Sequence, residues 1–191
     1  MVDPIARFAE AMARAAQDAP FDPIAMSLAT STSDGRPSCR IVLVHEVNER
    51  GVVFHTNYGG RKATEIEANP WAAICAYWPW TDEQVRIEGS IARVSSAESD
   101  GYFAVRPRGS QIGAWASLQS QPLESRDALI ARVREFEAKF EGGDVPRPDT
   151  WGGYRLSPLR IEFWKAGEFR LHDREVYERV GEGWTTHRLY P

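Results

Sequence analysis

The spacing of apolar residues predicts five β-strands in the first half of the chain. These strands cover residues 25–30, 38–46, 52–56, 71–78 and 84–94. In the second strand, Val42 and its alternate neighbours share one face, and Ile41 and its alternate neighbours share the other. The turn signal at 33–35 predicts a hairpin, and Gly89 indicates a bulge that bends the sheet.

Helices are predicted between and beside these strands. The dipeptide at 3–4 begins an amphipathic helix, and a second helix covers residues 61–69. A capping box at Ser95 begins a short helix. The last predicted helix begins at Ser125, and its single apolar stripe consists of Leu129, Ile130, Val133, Phe136 and Phe140.

The C-terminal part of the chain is predicted to consist of strands. They cover residues 155–156, 159–165, 169–171, 175–180 and 184–189. Because the helices are inserted among the strands and do not alternate with them, a doubly wound sheet is excluded. We therefore expect one domain over residues 1–191, mainly β with peripheral helices, folded as a predominantly antiparallel barrel.

The segment 106–120, with the sequence RPRGSQIGAWASLQS, follows neither the strand period nor an uninterrupted helical stripe. We interpret it as an irregular segment. Its guanidinium, hydroxyl and amide donors suit an oxyanion such as phosphate. A polar surface loop that covers a tryptophan is the competing interpretation.

Two further segments concentrate positive charge. Gly59 and Gly60 precede Arg61 and Lys62 at a predicted helix N-terminus, which is a candidate anion site. If residues 169–174 are extended, as on a strand, alternate positions place Arg170, His172 and Arg174 on one face. This face is either a functional surface or a charged edge strand that protects against aggregation.

Composition narrows the possible functions. The 191 residues carry a net charge of −4, which argues against a general nucleic-acid binder. No apolar run is long enough to cross a membrane and no signal peptide is recognised, so we expect a cytoplasmic protein. The four histidines show no metal-binding spacing, so no metal site is predicted. Cys39 and Cys75 lie in apolar strand-like runs and are expected to be buried free thiols.

Several motifs together resemble the pyridoxamine/pyridoxine 5'-phosphate oxidases, which have an FMN-binding split-barrel fold. The resemblance extends from about Asp3 to Pro191. The motifs that carry it are GRK (60–62), QVRIEG (84–89), RPRGSQIGAWAS (106–117), QS (119–120), WGGYR (151–155), EFW (162–164) and RLHDR (170–174). The resemblance implies a homodimeric flavoprotein oxidoreductase with FMN at the subunit interface.

The resemblance also implies roles for individual residues. The FMN contacts would be Arg40, Ile41, Val42, Leu43, Thr56, Arg61, Lys62, Gln84, Gln119, Ser120, Trp164 and Arg174. The substrate phosphate would contact His45, Tyr102, Arg106 and Ser110. Arg170 and His172 would be the catalytic pair, lying against the substrate ring and its reacting carbon.

The implied reaction is oxidation of pyridoxamine or pyridoxine 5'-phosphate to pyridoxal 5'-phosphate by dioxygen, with release of hydrogen peroxide. Two positions depart from the family pattern: His45 replaces a phosphate-contacting lysine, and His55 replaces a tyrosine. These departures leave two alternatives open. One is an oxidase of another reduced nitrogen heterocycle, as in phenazine biosynthesis, and the other is a flavin- or haem-binding split barrel without turnover.

Overall fold

A computed structural model describes residues 3–191, and eight strands form its single sheet. They are β1 Ala25–Ser31, β2 Pro37–Asn48, β3 Gly51–Asn57, β4 Trp71–Trp78, β5 Glu83–Arg93, β6 Trp151–Lys165, β7 Asp173–Val180 and β8 Gly183–Arg188. The order is β3-β2-β1-β4-β5-β6-β7-β8, and β3 also pairs with β6, so the first six strands close into a barrel. Each strand pair is antiparallel, and the predicted fold class is confirmed.

Five helices lie around the barrel. They are α1 Pro4–Ala15, α2 Arg61–Ala68, α3 Ser96–Ala104, α4 Arg108–Ala116 and α5 Arg126–Lys139. The Asp3 carboxylate accepts a hydrogen bond from the Ile5 N–H at 3.0 Å and caps α1, and Ser95 and Glu98 form the predicted capping box of α3. Within residues 3–191, no helix is both long and apolar enough to span a membrane.

The barrel interior is filled by every second residue of the strands. Leu28, Val44, Phe54 and Ile161 are fully buried there, and α1 closes one side with Phe8. Burying a side chain of this size contributes about 2 kcal/mol. The predicted faces of β2 are confirmed, because Val44 points inward while Ile41 on the opposite face is 61% exposed.

The bend predicted at Gly89 is present. The register of β5 against β6 shifts between Glu88 and Gly89, and a Cβ at Gly89 would lie 2.0 Å from the Ser157 carbonyl oxygen. Pro158 lies opposite this irregularity. The prediction of two short strands at 155–156 and 159–165 was wrong in one respect: β6 continues through the proline, which the bulge accommodates.

The interpretation of 106–120 as irregular throughout was wrong, because α4 occupies its centre. Ile112 and Ala116, one helical turn apart, are buried, and Pro107 precedes the first turn. Ile112 belongs to a second small core with Phe103 and Trp151. The apolar face of α4 covers so few positions that the polar residues around it obscure the helical period.

The prediction of a strand at 169–171 was also wrong. Residues Glu168–Arg170 form a 3-10 turn, in which Phe169 and Arg170 have φ of 54° and 64°. Such values are unfavourable for residues with a Cβ. The chain folds back closely here, since a Cβ at Gly167 would lie 2.1 Å from the Leu171 carbonyl oxygen. Arg170 therefore does not share a strand face with His172 and Arg174.

Two burial predictions need correction. Cys39 is exposed because it lies on the outward face of β2, and Cys75 is half-buried; both are free thiols. Only part of the predicted apolar stripe of α5 packs against the rest of the protein. Val133, Phe136 and Phe140 pack against the second core, whereas Ile130 is 39% exposed.

Candidate functional site

A cavity of about 430 Å³ opens between β2, β3 and the helices that cover them. It brings together many of the residues selected from the sequence, although they are far apart along the chain. Those that line it are Ile41, Val42, Leu43, His45, Thr56, Lys62, Tyr102, Arg106, Ser110 and Gln119.

One part of this cavity is a cationic group at the start of α2. The Lys62 Nζ donates to Thr56 Oγ1 at 3.0 Å and also to the Gln119 side-chain oxygen. The Arg61 N–H donates to Ser120 Oγ at 3.2 Å. Burial lowers the pKa of Lys62, and the nearby positive charge of Arg40 adds to this effect.

The approach of the chain to α2 is tight. A Cβ at Gly60 would lie 2.5 Å from Gln119 Oε1, so glycine allows the 119–120 segment to pack against the helix N-terminus. The N-terminus of α2, Arg61 and Lys62 together supply a set of donors typical of phosphate sites. The residues present therefore fit the phosphate of a nucleotide cofactor.

Arg40 lies beside this group and is held by a buried carboxylate. Its guanidinium donates to the Leu28 carbonyl oxygen at 3.3 Å, to the hydroxyls of Thr30 and Ser38, and to Glu65 at 3.2 Å. The Glu65 side chain is only 4% exposed. Burial alone would raise its pKa, but hydrogen bonds, first from Ser38 and Thr30 and then from two arginines, lower it to about 2.

The other part of the cavity is a stack of rings. His55 stacks on Tyr102 with ring centroids 4.0 Å apart, and on Trp151 at 5.3 Å. The His45 ring lies 4.6 Å from Tyr102. The guanidinium carbon of Arg106 lies 4.5 Å from the centre of the Trp151 ring, within cation–π range.

Several buried polar atoms in this ring stack have no partner among the described residues. They are Arg106 Nη1 and both ring nitrogens of His55. Burial lowers the pKa of His55 to about 4, and the charges of His45 and Arg106 act in the same direction. Burial and Arg106 also lower the pKa of His45, against the weaker opposing effect of Asp22. Unpartnered buried polar atoms of this kind are typical of a site that a ligand completes.

A second row of selected residues lies elsewhere on the sheet. Gln84 of β5 is paired with Trp164 of β6, which is paired with Arg174 of β7. The His172 ring lies 4.6 Å from that of Trp164, and Arg170 is exposed in the adjoining turn. Gln84, Trp164 and Arg174 line a different cavity, so one chain does not bring this row to the first cavity.

Arg174 is held by its own buried carboxylate. Glu162 is 1% exposed and accepts from Arg174 Nε at 2.8 Å, from Arg160 at 3.1 Å and from Arg86. Burial would raise the pKa of Glu162, but the hydrogen bonds from Arg174, Arg86 and Arg160 lower it to about 2. Glu162 thus remains ionised and fixes the Arg174 guanidinium.

Family models match two parts of the chain. Residues 12–140 match the model described as pyridoxamine 5'-phosphate oxidase, and residues 151–191 match the one described as pyridoxine 5'-phosphate oxidase C-terminal dimerisation region. Pyridoxine/pyridoxamine 5'-phosphate oxidases of Rubrobacter xylanophilus and Myxococcus xanthus are each 57% identical over 189 residues. These alignments cover 99% of this chain and 87% and 92% of the two relatives.

The chain belongs to the pyridoxamine 5'-phosphate oxidase family. Members of this family are FMN-dependent oxidases, and this chain is an enzyme of that type. The match at residues 151–191 supports a homodimer.

Solved structures agree with this assignment. PhzG from Burkholderia lata 383, in complex with tetrahydrophenazine-1-carboxylic acid, superposes with a TM-score of 0.94 at 38% identity, over 99% of this chain and 93% of that one. An FMN-binding protein from Nostoc punctiforme, related to pyridoxamine 5'-phosphate oxidase, gives a TM-score of 0.80 at 19% identity, with full coverage of both chains. The second likeness supports the fold alone.

Sequence reasoning missed three residues of this oxidase: Trp151, which lines the first cavity, and Glu65 and Glu162, which hold arginines beside the two cavities. Glu65 was overlooked although it lies beside the buried positions Ala63 and Ile66 of α2, which was the available signal. Glu162 carried no such signal, because it lies between two apolar residues of a strand. Trp151 was noted only within its motif, and its contact with Arg106 depends on the fold.

Proposed function

We propose that this oxidase converts pyridoxamine or pyridoxine 5'-phosphate to pyridoxal 5'-phosphate, with reduction of dioxygen to hydrogen peroxide. With the amine substrate, water is consumed as well and ammonia is released. The observation that carries the proposal is the presence of two cationic positions in one cavity. Lys62 at the start of α2 is one, and Arg106 beside the ring stack, whose Nη1 has no partner among the described residues, is the other. A phosphorylated cofactor and a phosphorylated aromatic substrate together need two such positions.

The proposed cofactor is FMN, which when bound accepts a hydride from the substrate and passes its electrons to dioxygen. Its phosphate would be held by Arg40, Arg61, Lys62 and Ser120 at the start of α2. The β2 residues Ile41, Val42 and Leu43, together with Thr56 and Gln119, would lie along the rest of the cofactor. The donor set and the tight turn at Gly60 fit this assignment.

The second row of residues enters the proposal through the homodimer. Gln84, Trp164 and Arg174 line another cavity of the same chain, and Trp164 and Arg174 fall in the segment matched as a dimerisation region. We propose that this row, with Arg170 and His172, completes the site of the partner subunit. The FMN site would then require two chains.

The hydrogen bond of His172 determines which of its ring nitrogens can donate a hydrogen bond to a substrate. Its Nδ1 accepts from the Gly167 N–H at 3.2 Å. The proton of a neutral imidazole is then on Nε2, so His172 presents a donor and not a base to the reacting region. Hydride transfer requires alignment more than proton abstraction, and a donor that orients the substrate suits that requirement.

The substrate phosphate would contact Tyr102, Arg106, Ser110 and His45. The Tyr102 ring already stacks on His55, which fixes its position. Arg106 is held over Trp151 and retains an unpartnered Nη1. Tyr102 and Arg106 therefore each pack against an aromatic ring before the substrate arrives, which reduces the side-chain entropy that binding costs.

One observation favours a second candidate, the oxidation of a reduced heterocyclic acid of phenazine type. PhzG was solved with tetrahydrophenazine-1-carboxylic acid, and this chain shares its fold at a TM-score of 0.94. His45 is a neutral ring at neutral pH, because its pKa is lowered by burial and by Arg106. A neutral ring suits a flat heterocycle better than the lysine it replaces.

The test measures hydrogen peroxide release by the purified holoenzyme. Pyridoxine 5'-phosphate, pyridoxamine 5'-phosphate and tetrahydrophenazine-1-carboxylic acid are compared at equal concentrations, and bound FMN is measured by absorbance. We expect turnover of the two phosphates. Turnover of the phenazine acid alone would transfer the assignment to the second candidate. Bound FMN with no turnover of any of the three would contradict both.

A further inference from the structure

The Glu65 carboxylate connects two arginines that belong to different elements. Its Oε1 accepts from Arg61 Nε on α2 at 2.8 Å, and its Oε2 accepts from Arg40 on β2 at 3.2 Å. The hydroxyls of Thr30 and Ser38 complete its hydrogen bonding. A buried carboxylate with all these donors is fully ionised and has a single orientation.

The two arginines use this carboxylate differently. Arg40 is 20% exposed, and both of its terminal nitrogens donate to protein groups. Arg61 is 65% exposed and donates to Glu65 through Nε. None of the described residues accepts a hydrogen bond from the terminal nitrogens of Arg61. The hydrogen bond from Nε therefore orients the plane of the Arg61 guanidinium, while the terminal nitrogens Nη1 and Nη2 stay available to a ligand.

We propose that Glu65 is a positioning residue for the cofactor phosphate, which it affects through Arg61 without touching it. This inference rests on the proposed FMN site. An exposed arginine without an anchor samples many rotamers, and binding a phosphate would have to restrict them. Anchoring Nε beforehand fixes the plane of the guanidinium beside the N-terminus of α2, where bidentate contact with phosphate becomes favourable.

The charge of Glu65 alone would have the opposite effect on phosphate binding, and this makes the proposal testable. Glu65 is a negative charge next to a site for an anion, so by Coulomb's law its neutralisation would strengthen phosphate binding. If positioning dominates, neutralisation weakens binding because Arg61 loses its anchor. The sign of the change in FMN affinity therefore separates the two effects.

The experiment compares Glu65→Gln with Glu67→Gln in the full-length protein. Glu67 lies on the same helix, and it pairs with Arg93 and Tyr154 at 2.8 Å each, away from the cavity. Both substitutions remove one negative charge from α2. Dissociation constants for FMN and for riboflavin, which lacks the phosphate, are measured by quenching of flavin fluorescence.

We expect Glu65→Gln to raise the dissociation constant for FMN about tenfold, the loss of roughly one charge-assisted hydrogen bond. Riboflavin affinity should not change, and Glu67→Gln should change neither. A general loss of structure would weaken both flavins equally. Equal weakening, or unchanged or tighter FMN binding by Glu65→Gln, would overturn the inference while leaving the proposed function intact. A wild-type protein that binds no FMN would instead overturn the proposed function.

Two further variants keep the inference testable if Glu65→Gln does not fold. Ser38→Ala removes one of the donors to Glu65 and should produce a smaller loss with the same preference for FMN over riboflavin. Arg61→Ala alone should weaken FMN binding. In the Arg61→Ala background, Ser38→Ala should raise the dissociation constant for FMN by a smaller factor than it does in the wild type. Full additivity of the two would show that the carboxylate does not act through Arg61, and would overturn the inference.

Discussion

The two parts of the cavity differ in how their polar groups are satisfied. In the cationic part, the protein supplies partners for Arg40, Lys62 and Glu65, and the carboxylate remains ionised. In the ring stack, none of the described residues partners the buried nitrogens of His55 or Nη1 of Arg106, and the pKa of His55 is lowered to about 4. The polar groups of Arg40, Lys62 and Glu65 are thus hydrogen-bonded within the chain, whereas those buried in the ring stack are not.

This difference has a physical consequence for binding. Groups that are already hydrogen-bonded and oriented lose little entropy when a ligand arrives, so they suit a cofactor that stays bound. Groups that are buried and unpartnered are destabilising in the empty site, and a ligand that satisfies them gains affinity and specificity. We therefore associate the cationic part with the cofactor and the ring stack with the exchanging substrate.

The largest expected effect follows from removing the unpartnered cation of the ring stack. Arg106→Ala should raise KM for pyridoxine 5'-phosphate about 30-fold, equivalent to about 2 kcal/mol for hydrogen bonds to a charged group. FMN affinity should change little, because Arg106 makes no contact with the cationic part. Steady-state kinetics and flavin titration on the same preparation measure both quantities.

Arg108→Ala is the matched control for that change. Arg108 lies two residues away and donates to the carbonyl oxygens of Phe140 and Gly143 at the end of α5, outside the cavity. Its removal should lower thermal stability without raising KM. If both variants raised KM equally, the association of Arg106 with the substrate phosphate would be wrong.

The sequence predicted the barrel better than it predicted the cavity. Strands such as β1 and β2 were found because alternation marks one buried face, and the bulge was found because Gly89 is out of place in a strand. α4 was missed, since only a few of its positions are buried. The turn at 168–170 was missed because its alternating charges imitate a strand.

The unpredicted features of the site arise from packing between distant segments. The place of Glu65 beside Ala63 and Ile66 indicates burial, but only the fold shows that donors on β1 and β2 hold its carboxylate. Likewise, no local pattern shows that Gln84 and Lys62 line different cavities of one chain. The family resemblance identifies the candidate site residues, but only the fold shows which of them line the same cavity.

A smaller effect is expected on the free energy of unfolding, which shows whether the buried ring of His55 destabilises the folded chain. The pKa of His55 in the folded chain, about 4, lies below the ordinary histidine value of 6.5. The unfolded chain therefore binds more protons, and stability falls as pH drops from about 6.5 towards 4. His55→Phe removes the unpartnered nitrogens and this proton linkage.

We expect His55→Phe to stabilise the protein by about 1 kcal/mol at pH 8, where the gain comes from the nitrogens alone. The gain should be larger at pH 5, where proton linkage adds to it. Chemical denaturation at the two pH values measures the difference. A gain that is equal at both, or larger at pH 8, would show that His55 is not held neutral in the folded chain.

The smallest expected effect concerns His45, where a family lysine is replaced by a ring. Burial and Arg106 lower the pKa of His45, so this residue is uncharged at pH 8 and gains charge only as pH falls. KM for pyridoxine 5'-phosphate should therefore fall a few-fold between pH 8 and about pH 6.5, before the substrate phosphate, with a pKa near 6, takes up its own proton.

His45→Lys should lower KM at pH 8 and flatten this dependence, because an ammonium group remains charged over the whole range. Measuring KM from pH 6.5 to 8.5 for both proteins provides the comparison, with His187→Lys on β8, outside this cavity, as the control for added charge. A wild-type KM that does not vary with pH, together with an unchanged KM in His45→Lys, would place the substrate phosphate away from His45. The ring stack would then be a surface for a flat heterocycle, as the second candidate requires.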